Sequence, residues 1–131
     1  MAEDPLQHRA YADALVERAA GQLRDLVQRL AREVAPSPPF PGSMFTYGIE
    51  VEPPAGSPHG CVIVMDDGEL YELQIGLDDE EVARGGDHVA SRRELTVKLE
   101  LPPADYVAYA HRAVGALVET LEQRGAGRGG D

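Results

Sequence analysis

Five apolar residues in a row, Cys61-Val62-Ile63-Val64-Met65, stand directly before Asp66-Asp67-Gly68. Asp-Gly is a turn dipeptide. Beyond it, Glu69 to Leu77 alternates through Tyr71, Leu73, Ile75 and Leu77, so the two segments read as a β-hairpin. A strand with one wet face alternates in polarity; segment 61–65 does not, so it needs cover on both faces. With a two-residue Asp67-Gly68 loop, Met65 stands across from Leu70 and Val64 across from Tyr71. Val62 and Val64 then share a core with Tyr71 and Leu73, while Cys61, Ile63, Met65 and Leu70 face outward. A longer loop with a bulge at Gly68 flips the assignment and exposes Val62 and Val64 instead. Either register leaves an apolar row on the outer face, the kind of surface that meets a partner.

The remaining elements are set by period and punctuation. Asp4 is a helix N-cap and Pro5 suits the first helical position. Apolar residues then recur at three- and four-residue steps through Leu15, Leu23, Leu26, Leu30 and Val34, up to the break at Pro36. A helix over 5–35 would be about 46 Å long, more than a domain of this size is wide, so part of its stripe is expected to pack on something else. Pro36 to Gly42 reads as a semi-rigid spacer from helix to sheet. Phe45, Tyr47, Ile49 and Val51 alternate as a strand closed by Pro53-Pro54, and Leu95, Val97, Leu99 and Leu101 alternate as another. Pro102-Pro103 opens a last helix with the stripe Tyr106, Ala110, Ala113, Leu117 and Leu121, stopped at Gly125. The expected fold is therefore α+β: a two-layer sandwich with a four-stranded, mainly antiparallel sheet and a long N-terminal and a C-terminal helix. The element order is α-β-β-β-β-α, with a short helix near 78–84. Residues 1–124 form a single domain and 125–131 a disordered tail.

Composition narrows the function. The 131 residues carry 23 acids against 12 bases, a net charge of −11, which disfavours phosphate backbones and anionic lipid surfaces. One cysteine excludes a disulfide framework and a multi-cysteine zinc site. No apolar run reaches the ~18 residues of a membrane span, and the acidic start Met1-Ala2-Glu3-Asp4 is unlike a secretory signal, so a cytoplasmic location is expected. The four histidines are scattered, and there is no HExxH, GxSxG, Walker or GxGxxG pattern. No cofactor, metal or catalytic set is expected. His59 stands two residues from Cys61 and could activate its thiol only if both face one side. The best place for a small anionic ligand is loop 78–93, with Arg84, Asp87, His88, Arg92 and Arg93.

Size, acidity and element order resemble the small acidic chaperones of type III secretion. That resemblance implies a dimer presenting a sheet-and-helix surface to an unfolded partner. It carries no motif, and the late extra strand of that family has no counterpart in this sequence. The expectation is a non-catalytic, homodimeric protein-binding module of the chaperone or adaptor kind, its interface drawn from Leu23, Leu30, Ile63, Val64 and Met65. A small enzyme or ligand-binding protein with its site at loop 78–93 is the alternative.

Overall fold

The first helix is started by Asp4, whose carboxylate accepts a hydrogen bond from the Leu6 N–H at 3.0 Å, with Pro5 in the first turn. The structure, a computed structural model, describes residues 4–77, 83–85 and 92–129. Helix α1 spans Pro5–Val34. Its buried residues, Ala20, Val27, Ala31 and Val34, all lie in its second half. That half packs against the last helix, α2 (Pro103–Gly129), and alanines on both sides of the seam, including Ala20, Ala110 and Ala113, let the backbones approach. The first half of α1 projects from the domain with Leu6, Tyr11 and Leu15 exposed. The C-terminal end of α1 is closed by α2: Arg124 donates to the Val34 carbonyl, an acceptor that the helix end leaves open, and to the Pro36 carbonyl just beyond it.

Strands β1 (Ile49–Val51), β2 (Val62–Val64), β3 (Leu70–Leu77) and β4 (Arg92–Lys98) form one antiparallel sheet in the order β1-β2-β3-β4. The fold is thus α+β with the expected element order. The two helices, β1, Val62, Val64 and Leu70 enclose the main core. Glu69, at the start of β3, ties the layers together: Arg24 of α1 donates to it at 3.0 Å and Lys98 lies 3.7 Å away.

The hairpin between β2 and β3 uses three loop residues, Asp66, Asp67 and Gly68. Gly68 donates to the Met65 carbonyl, Met65 to the Glu69 carbonyl, and Gly68 has a φ of +76°. This is the longer of the two expected loops, but the flip it imposes falls on β3, not β2. Val62 and Val64 stay in the helix-facing core opposite Glu72 and Leu70, and Tyr71 and Leu73 turn to the other face with Ile63. Glu72 and Gln74 therefore lie on the helix side of β3.

A second, smaller core explains why that arrangement is stable. Residues 35–48, beginning at the cis Ala35–Pro36 bond, form a strap across the outer face of the sheet. Ser37 holds Asp66 through its N–H (3.0 Å) and hydroxyl (2.6 Å). Pro39 bridges Tyr47, Phe40 N–H donates to Thr46 O, and Gly48 N–H donates to Pro38 O. At the far side, the Met44 and Phe45 N–H groups and the Thr46 hydroxyl all bond to the Glu94 carboxylate of β4. Held at both ends, the strap lays Phe40 over Ile63 and Leu73, with Cys61, Met65 and Tyr71 around them. Ile63 is 0% exposed. The Pro-rich segment is thus a cover for the sheet as well as a spacer. The expected strand through Phe45 and Tyr47 shortens to Ile49–Val51, because residues 46 and 48 bond within the strap, to Phe40 and Pro38; Phe45 is 70% exposed. Helix α2 runs on past Gly125 to Gly129. The expected short helix near 78–84 falls mainly outside the described residues.

Candidate functional site

A polar cluster lies where the β1–β2 loop meets the first turns of α2. A cleft of about 260 Å³ opens there, lined by the loop from Pro54 to His59 and by Leu101, Ala104, Asp105, Ala108 and Tyr109. His59 Nδ1 lies 2.9 Å from Glu72 Oε2, and Gln74 donates to the other Glu72 oxygen at 2.8 Å. These two side-chain bonds, Gln74 foremost, hold the Glu72 carboxyl below its usual pKa. The His59 ring meets Tyr109 edge-on at 6.2 Å between centroids.

An imidazole oriented by a carboxylate is how a general base is built, but it needs a proton-donating group within hydrogen-bond reach to act on. Ser57 is the nearest hydroxyl in sequence, and it is committed elsewhere. Its Oγ accepts from His59 N–H at 3.0 Å, contacts the His59 carbonyl at 3.3 Å and bonds to the Tyr109 hydroxyl. Among the described residues, no hydrogen bond joins Ser57 Oγ to the His59 ring. The cluster works as a clasp: Glu72 and His59 fasten the loop to β3, and Ser57 and Tyr109 fasten it to α2. Sequence reasoning weighed His59 only beside Cys61 and missed Ser57, Glu72 and Tyr109. They meet through a hairpin register that the sequence left open.

Cys61 belongs to the other core, with Phe40, Ile63 and Leu73, so it does not share a site with His59. Burial, followed by the charges of Glu50 and Glu72, pushes its thiol pKa up, the reverse of what a nucleophile requires. Among the described residues, no group of three or more His, Cys, Asp or Glu side chains is placed to hold a metal ion. No helix there is long and apolar enough to cross a membrane.

The expected ligand residues are only partly described. Arg84 is exposed in a turn, Arg92 and Arg93 open β4 opposite Leu77 and Gly76, and Asp87 and His88 lie outside the described residues. Of the expected interface residues, Ile63 and Val64 have no exposed surface, because the strap covers one and the helices the other. They cannot form an interface of this fold. Leu23 and Leu30 are half-buried against the main core, and Met65 is half-buried in the second.

Exposed apolar surface lies in other places. One is the projecting half of α1. Another is β4, where Leu95 is 56% and Val97 41% exposed on the helix side of the sheet, with Ile75 exposed on the other face. The two sheet edges are also unlike. β1 has three residues, runs into Pro53-Pro54, and is flanked by the strap's bridge at Tyr47. β4 has seven residues without proline or glycine, and among the described residues no strand pairs with its outer side. No family model, curated protein or solved structure matches the chain.

Proposed function

We propose that the protein is a non-catalytic protein-binding module of the adaptor or chaperone kind and works as a homodimer. One observation carries this reading: about half of a 30-residue helix stands clear of the domain and exposes Leu6, Tyr11 and Leu15. Helices in proteins draw most of their stability from tertiary packing, so an unpacked projection with large apolar side chains is matched to a surface outside its own domain. The imidazole and hydroxyl beside the cleft, His59 and Ser57, are bonded into the loop clasp with Glu72 and Tyr109. A photo-cross-linking residue placed at position 11, in the chain expressed in its source cells, tests the reading, with exposed position 29 as the control. The expected result is a discrete protein adduct at 11 that is absent at 29. Equal labelling at both positions, or none at either, overturns it.

A further inference from the structure

We propose that two copies of the chain join edge to edge through β4, antiparallel about a two-fold axis at Thr96, so that two four-stranded sheets become one. This rests on the homodimeric reading above and assigns its surface. Natural sheets shield their edges with short strands, proline or a covering segment. β1 is short, is followed by Pro53-Pro54 and is flanked by the strap. β4 has seven residues without proline and, among the described residues, no strand on its outer side. Its charged side chains, which also guard edges, are of both signs and so can be paired by an antiparallel copy.

Backbone direction comes first. Leu99 N–H donates to Leu70 O, which aims the odd-numbered groups of β4 at β3. Strand alternation then sends the N–H and C=O groups of Thr96 and Lys98, and of position 94 before them, to the outer edge. Antiparallel pairing needs outward groups opposite outward groups, so a two-fold axis must pass through a residue and not between residues. An axis at Thr96 sets Thr96 against Thr96, Leu95 against Val97 and Glu94 against Lys98. Each of these three pairs is compatible: hydroxyl with hydroxyl, apolar with apolar, acid with base. The neighbouring axes fail on charge. An axis at Leu95 opposes position 92, an arginine, to Lys98; one at Glu94 opposes two glutamates; one at Val97 opposes Glu94 to Glu100. The Thr96 register also places the exposed Leu95 and Val97 of each copy against those of the other on the helix side of the joined sheet.

Sedimentation equilibrium of the full chain, with Thr96→Pro, Thr96→Lys and Thr96→Cys variants (the last in a Cys61→Ala background), tests this. The Thr96 N–H points away from β3, so Thr96→Pro removes no hydrogen bond of the lone chain. Thr96→Lys sets two ammonium groups on the axis and serves if the proline disturbs the strand. The expected result is twice the chain mass for the native protein and loss of that mass in Thr96→Pro and Thr96→Lys at unchanged circular dichroism. Thr96→Cys should oxidise to a covalent dimer faster than Lys98→Cys, since only position 96 meets its own copy. A dimer that survives both Thr96→Pro and Thr96→Lys, and whose Thr96→Cys variant stays reduced, overturns the β4 assignment and leaves the homodimer standing. A native chain of single mass overturns both.

Discussion

At Gly68 two constraints meet on one Cα. The turn holds it at φ +76°, and a Cβ there would stand 2.6 Å from the Cα of Gln28 in α1. The first constraint alone costs an L-residue roughly 1–2 kcal/mol, and the second asks a packed helix to move. Gly68→Ala is therefore expected to lower stability by about 2 kcal/mol or more, read as a lower urea midpoint at unchanged slope. Glu72 is the opposite case, a side chain whose partners matter. Its folded pKa lies below its unfolded one, so the stability it adds is fully present above the ordinary value of about 4.3 and is lost as pH falls through the lowered one. Glu72→Gln should be less stable than the native chain at neutral pH, and urea midpoints of the two should converge as acid is added. The sequence marked Gly68 as a turn glycine, because Asp-Gly is a local signal. It was silent on Glu72, whose role depends on which face of β3 turns to the helices, a choice made by residues some thirty positions earlier.

Among the elements, the strap is what the sequence least disclosed. A run of prolines and glycine reads as a connector, and nothing local says where a connector will lie. Its place is fixed by contacts distant in sequence: Ser37 with Asp66, Met44 to Thr46 with Glu94, and Phe40 with Ile63 and Leu73. The unbroken apolar run at 61–65 did announce a strand needing cover on both sides, but the cover expected from a partner comes instead from the chain's own residues 35–48, so this strand gives no ground for self-association. Phe40→Ala should then cost about 3–5 kcal/mol, as deletion of a buried aromatic does, and a chemical-denaturation curve measures it. A loss under about 1 kcal/mol would mean that the strap is not packed on the sheet. The starts and apolar stripes of the helices were legible, since the Asp4-Pro5 start and the three- and four-residue periods are local. The end of α2 was not, because a glycine only weakens a helix and Gly125 did not stop this one.

For the molecule as a whole, element order and two-layer architecture followed from the alternation of periods, while the exposed surfaces did not. Burial depends on which half of a helix meets its neighbour. Leu23 and Leu30 sit on the half of α1 that α2 covers, whereas Leu6, Tyr11 and Leu15 lie beyond it, although the apolar spacing gives no sign of the boundary. The contrast between the sheet edges belongs to this scale as well, because it depends on strand order and on where the strap crosses. It also limits how the protein can accumulate. A sheet with two receptive sides can add subunits without end and grow into a filament. Here the rim beside β1 is closed by the prolines that follow it and by the chain's own crossing segment, so the proposed pairing along β4 would consume the sole receptive rim among the described residues, and enrichment of the protein is then expected to give finished pairs, not fibres.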